Sequence, residues 1–351
     1  MSFRTESKIS DQFNKDGNFL ASDSYNNRVI EFTPRGEIVW QYGLGPTDFT
    51  EKSIIGVSDA SRVGDMTLMV GMGTPPGTIL ESKTGVIDGR VLLVSSEGEI
   101  VWQYGQFGMT GTSCNLLNVP VQATFIPCSK CKKKSMKCGS IAIVDQGSNR
   151  VIRVNGDKEI IWQYPGTNTS VSDQLNAPSS VQRIDGGHYL IADSGNHRAI
   201  EVDRCDRVIK VFTASGTLGV CSFASRLPNG NTLLTDESKS RVLEVDQNDV
   251  IVWQYITNAE SKSVMAPMPN RAIRLEDGDT VLCNTYNNCI QRINGTAITV
   301  DYYGLPLSGS IVPSTTHIAT NHGYSVKSTQ LGLYCPSSAY IIGDFTGLTK
   351  P

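Results

Sequence analysis

The chain has 351 residues, 39% of them hydrophobic, and a formal net charge of −3. That near-neutral balance gives no basic surplus for nucleic acid and no acidic run for a solvating tail. No apolar run reaches the ~18 residues of a membrane span, and the start Met1–Lys8 lacks the apolar centre of an export signal.

Glycine is abundant (33 residues) and helical periodicity is scarce, which reads as short strands joined by tight turns. The first unit spans about 7–43. It reads as an extended segment Lys8–Phe13, a turn at Asp16-Gly17, a strand Phe19–Ser22, a polar loop Asp23–Asn27, a strand Arg28–Phe32 and a last strand Ile38–Tyr42. The second unit, about 53–105, keeps its ends and has strands at Met66–Val70 and Arg90–Val94. Between them the Pro75-Pro76-containing insert Gly71–Gly89 replaces the short loop. The third, about 119–165, places a Cys128–Cys138 loop between strands Val121–Ile126 and Ser140–Val144. Units at about 178–213, 220–255 and 267–303 are regular. Residues 304–351 lie outside the repeat and are expected to wrap on the others or close them into a ring.

The units share a signature. An Asp and an Arg five residues apart flank the middle loop: Asp23 and Arg28, Asp145 and Arg150, Asp193 and Arg198, Asp236 and Arg241. Copy six has Asn284 and Cys289 there, and copy two loses the pair. A carboxylate at that turn caps amides and pairs with the guanidinium, so the motif is expected to be a structural staple. Each unit ends on an aromatic: Tyr42, Tyr104, Tyr164, Phe212, Tyr255 and Tyr303. Two residues earlier stand Trp40, Trp102, Trp162 and Trp253, but Lys210 and Asp301 in the other two copies. One four-stranded sheet cannot bury both faces alone, whereas six stacked radially can. The expectation is an all-β, six-bladed β-propeller of four-stranded antiparallel blades over 7–303, with a non-repeat C-terminal tail.

At Asp23, Asn26 and Arg28, and again at Asp193, Asn196 and Arg198, the chain resembles NHL-type β-propellers. Their repeat follows an Asn-Gly or Asp-Gly turn with Asp-x-x-Asn-x-Arg and an apolar strand. The Glu-Ile-Val-Trp-Gln-Tyr ending is also similar to repeats of arylsulfotransferase-like and PQQ-type bacterial propellers. The resemblance implies the fold; propellers host many unrelated activities. Arylsulfotransferases use a histidine nucleophile, and none of His188, His197, His317 or His322 matches its position.

Lyase and lactonase propellers of this size hold Ca²⁺ or Zn²⁺ in the channel. Here the innermost strands are read as carrying Gln122, Gln182, Arg183, Ser225, Arg226, Arg271 and Arg274, with no carboxylate. That argues against calcium and suits a small anionic ligand, a water-filled channel or hydrogen bonds between blades. Cys128, Cys131 and Cys138, perhaps joined by Cys114, sit among five lysines that favour thiolates. Zinc, a disulfide-stapled loop and a plain exposed loop are the open readings, since a fourth ligand is not evident. Nine cysteines without an export signal suggest reduced thiols in the cytoplasm, although a processed precursor would hide a signal. The functional expectation is a scaffold that binds a protein partner or assembles with itself through its loop face and tail. The alternative is an enzyme (lyase, hydrolase or sulfotransferase-like) that binds an anionic substrate at Arg183, Arg226, Arg271 or Arg274.

Overall fold

The computed structural model describes residues 9–78, 82–128, 139–167, 169–257, 267–304, 311–314 and 332–350. These form six antiparallel sheets. Blade two runs Val57–Val63, Met66–Gly71, Arg90–Val94 and Ile100–Gly105 from the axis outward. Blades three to five follow the same plan and begin at the axis with Pro120–Ile126, Pro178–Arg183 and Cys221–Arg226. Blade six begins with Pro269–Arg274 and ends with Ala297–Gly304, to whose outer edge Ile311–Ser314 adds a fifth strand.

Blade one differs from expectation. Ile9–Phe13 forms no strand. Its place is taken by Pro336–Ile341, which pairs with Phe19–Asp23 and so closes the ring with strands from both ends of the repeat region. Ile9–Phe13 lacks the run of buried aliphatics an inner strand needs, whereas Ala339, Tyr340 and Ile341 are buried. The Ser22 and Ser338 hydroxyls bond each other at 2.7 Å across this seam.

The six aliphatic clusters lie between adjacent blades. A fully buried Leu, Ile or Phe contributes about 2 kcal/mol, so blade contacts, rather than any one sheet, carry the stability. Tyr42, Tyr104, Tyr164, Phe212 and Tyr255 are buried wedges in these seams. In blade six the wedge is Tyr302, not Tyr303. Ile290 opposes Tyr302 in the ladder, as Val29 opposes Tyr42, and Tyr302 packs on Phe19 and Phe32. The same one-residue slip puts Val300, not Asp301, at the Trp position, because a shift of one turns every side chain to the other face.

Each Asp-to-Arg loop is a single 3-10 turn followed by a left-handed residue: Asn27, Asn149, His197, Ser240 and Asn288, with φ of 49–55°. The loops therefore favour Asn, which tolerates that conformation. The Asp then reaches back to the Arg at 2.7 Å in Asp23–Arg28, 2.8 Å in Asp145–Arg150 and Asp193–Arg198, and 2.9 Å in Asp236–Arg241. It also accepts an amide from the segment entering the blade, from Tyr334, Asn118, Asn176 and Gly219 in turn. Blade two keeps the staple in altered form. Asp88 pairs with Arg90 and accepts the Ile55 N–H at 2.7 Å, so only the five-residue spacing is lost there.

Candidate functional site

The inner strands surround a channel with two unlike mouths. At the end where they finish, the chain's own C-terminal segment crosses the opening. Asp344 accepts the Glu276 N–H at 2.8 Å, Gly347 lies against Ser225, and Thr349 Oγ1 accepts the Arg183 N–H at 2.9 Å. Beneath this plug lies a cavity of about 60 Å³ lined by Asp59, Arg62, Gln122, Arg271, Phe345 and Leu348, among others.

The other mouth, where the inner strands begin, is an open cup of about 400 Å³. Every inner strand carries a one-residue bulge near its start. The residue set aside by the bulge, Ser58, Val121, Ser179, Ser222, Asn270 or Ser337, lines the cup. Bulges re-aim side chains in this way beside functional sites. Gln146, Ser194, His197, Glu237 and Arg271 complete the polar wall.

Most of these groups also stitch neighbouring blades. The residue after each staple Asp donates to the carbonyl that opens the next blade's inner strand. Ser24 donates to Val57 (2.6 Å), Gln146 to Pro178 (3.2 Å), Ser194 to Cys221 (2.6 Å) and Thr285 to Pro336 (2.8 Å). Blade two has Met72 at this position and blade five has Glu237. His197 stands beside the Gly219 carbonyl at 3.1 Å, so Nδ1 carries a proton, and in the neutral ring Nε2 is then the acceptor.

The residues expected in the channel are largely engaged. Gln122 Oε1 accepts the Val181 N–H at 2.5 Å, and Gln182 Oε1 accepts the Arg226 N–H at 2.6 Å. Arg226 pairs with Glu201 of the preceding blade at 2.9 Å and stacks over Phe212. Arg274 pairs with Glu244 at 3.3 Å over Trp253, and Arg62 pairs with Glu31 over Trp40. Burial opposes ionisation of Glu201, but its bonds to His188 and Arg226 hold its carboxyl below the usual range. Arg183 stacks on Tyr189 and donates to its hydroxyl at 2.9 Å.

Arg271 lines the channel cavity together with Arg62, and there Arg271 meets Asp59. The inner strands therefore do carry a carboxylate. Asp59 escaped the sequence reading because the altered middle of blade two hid its inner strand, Val57–Val63. Sequence reasoning also missed the Arg–Glu clamps, although Arg28 precedes Glu31, Arg198 precedes Glu201 and Arg241 precedes Glu244 by three residues each.

Cys131 and Cys138 lie outside the described residues. Cys128 is half-buried and Cys114 exposed. Among the described residues no three His, Cys, Asp or Glu side chains group as metal ligands. Burial pushes the Cys283 thiol up to about 12, and raises Cys221 and Cys335 as well, so these are inert core thiols. No helix among the described residues is long and apolar enough to cross a membrane.

No family model matches the chain, and no curated protein matches it. Among solved structures it is similar to a streptogramin B lyase, with TM-score 0.52 and 10% identity over 88% of this chain and 86% of that one. It is also similar to selenomethionine-substituted virginiamycin B lyase from Staphylococcus aureus, with TM-score 0.49 and 11% identity over 87% and 86%. A third match is the WD40 β-propeller domain of Doa1, with TM-score 0.46 and 14% identity over 86% and 87%. At such identities the first of these shows a shared β-propeller fold and nothing finer. The chain is thus a six-bladed β-propeller, and its NHL-like character is a likeness of motif.

Proposed function

We propose that the protein is a binding scaffold that engages a partner protein through the face carrying the open cup. The observation behind this is the asymmetry of the mouths: the C-terminal segment fills one, and none of the described residues plugs the other. The insert of blade two extends the same face. Met72 lines both the cup and an adjoining apolar groove of about 600 Å³ walled by Phe49, Pro75, Pro76, Ile87 and Phe107. A polar cup beside an apolar groove offers a partner both orientation and buried area. The described part of the tail is occupied in ring closure and plugging, so the partner-binding role expected of it passes to the cup and the groove.

An enzyme holding an anionic substrate through the channel arginines has less support. Arg226, Arg271 and Arg274 each face a carboxylate, and a matched charge offers little extra attraction to an anion. Zinc at the loop that Cys128 opens is a separate reading, supported by the Cys-x-x-Cys spacing. Zinc at about one equivalent after purification under reducing conditions is the expected result, and its absence ends that reading.

Peptide display on the wild-type protein tests the scaffold. Selected binders are expected to weaken at least about tenfold on Ser179→Trp and on Asn270→Trp, which fill the cup, or on Phe107→Ala, which erodes the groove. Melting curves confirm that each variant folds. Binders indifferent to all three variants would overturn the proposal.

A further inference from the structure

Glu237 breaks the stitching pattern. At its repeat position Ser24, Gln146, Ser194 and Thr285 each donate to the next blade. An ionised carboxylate has no proton to give, so it cannot make that bond to Pro269. The Pro269 carbonyl is served instead by Ser222 at 3.3 Å. Glu237 makes no ion pair or side-chain hydrogen bond among the described residues. Positions where a chain departs from its own local rule without structural gain are where function is expected.

The rest of the cup has the matching character. Ser58, Ser179, Ser222 and Ser337 each spend their proton on a backbone carbonyl, which leaves oxygen lone pairs as what they can offer. Gln146 spends one of its two amide N–H groups on Pro178 and keeps its oxygen, and Asn270 presents an amide that can accept as well as donate. His197 offers Nε2. Arg271, the one guanidinium of the wall, is neutralised by Asp59. Among the described residues the cup is therefore rich in acceptors and carries one negative charge, that of Glu237, with no cation paired to it.

We propose that the open cup binds a primary alkylammonium group, with Glu237 as its counter-charge and the ring oxygens as further acceptors. An ammonium brings three N–H donors and a full positive charge on a narrow stem, which complements a wall dominated by acceptor oxygens with a carboxylate among them. A divalent metal fits less well, because it asks for several carboxylates or imidazoles and the cup supplies one of each. The group could belong to a free amine or to a lysine side chain of the partner. The inference rests on the cup being the binding face.

Calorimetric titration at neutral pH tests it, with n-butylamine, the blocked tripeptide Gly-Lys-Gly, its norleucine analogue, and tetramethylammonium, which has no N–H. Saturable binding of the amine or the lysine peptide is expected, with the norleucine peptide and tetramethylammonium weaker by at least about tenfold, the scale of one charge-assisted hydrogen bond. Tighter binding of the tripeptide would point to a protein source, and tighter binding of butylamine to a free amine. Glu237→Gln is expected to lose the same factor while melting no lower than wild type, since Gln146 shows that glutamine suits this position. Glu237→Asp, which keeps the charge on a shorter arm, should fall between. No saturable binding, or equal binding by Glu237→Gln, would overturn the inference. If display-selected binders feel the cup-filling tryptophans but not Glu237→Gln, the ammonium idea fails and the scaffold stands. If they feel neither the tryptophans nor Phe107→Ala, the scaffold itself fails.

Discussion

At the scale of single residues, the buried Asp of a staple does several jobs with one carboxylate. Asp193 holds Arg198, the Asn196 amide and the Asn176 N–H, all at 2.8 Å. Asp193→Ala leaves a largely buried guanidinium without its partner and should cost about 3 kcal/mol in chemical denaturation. Glu237 behaves in the opposite sense. Burial and the adjacent Asp236 push its carboxyl above the usual range. A raised folded-state value means that the folded protein holds the proton longer, so the stability Glu237 contributes falls as pH rises through that value. Protonated, it can donate to Pro269 as Gln146 does to Pro178. Glu237→Gln should therefore match wild type near pH ~4 and exceed it by about 1 kcal/mol near pH ~8, read from paired denaturation curves. The staple was legible in the sequence because its Asp, turn and Arg are contiguous. The meaning of Glu237 was not, because its difference shows only when Ser24, Gln146, Ser194 and Thr285 are seen to bond across to another blade.

At the scale of elements, the C-terminal region does two separable things. Pro336–Ile341 is the inner strand of blade one, and residues 343–350 are the plug. Deleting residues 343–351 should leave a folded ring with a through channel. The amides of Glu276 and Arg183, which donate to Asp344 and Thr349, should then exchange faster, while amides of the Asp-to-Arg loops keep their rates. Deleting residues 332–351 should instead abolish cooperative unfolding, because it removes the strand against which Phe19–Asp23 pairs. Hydrogen exchange and calorimetry on the two deletions separate these roles. The regular blades were readable from turn spacing alone. The closing strand was not, because it is joined to its sheet by pairing across more than 300 residues, although Pro336-Ser-Ser-Ala opens as the inner strand Pro178-Ser-Ser-Val does. The bulges were equally invisible, since a bulge is a property of two paired strands and not of either one.

At the scale of the whole molecule, radial stacking buries every sheet face but leaves an outer edge on each blade. Blade six covers its own edge with Ile311–Ser314, which shows that the outermost strand can accept another. Among the described residues, the outer strands of blades two to five have no such cover and expose β-branched side chains: Val101 at 52%, Ile161 at 48% and Val252 at 53%. Exposed apolar edges are templates for pairing with another chain, and a net charge of −3 gives little mutual repulsion. The protein should therefore self-associate through its rim as concentration rises. The triple variant Val101→Glu, Ile161→Glu, Val252→Glu should remain monomeric in sedimentation velocity. It also moves the net charge from −3 to −6, so repulsion alone could produce the same result. Gln12→Glu, Thr112→Glu and Ser172→Glu make the same change at exposed sites away from the outer strands. If that control associates like wild type while the edge variant does not, the outer strands are the contact. If both variants dissociate alike, charge rather than strand pairing governs assembly and the edge argument fails.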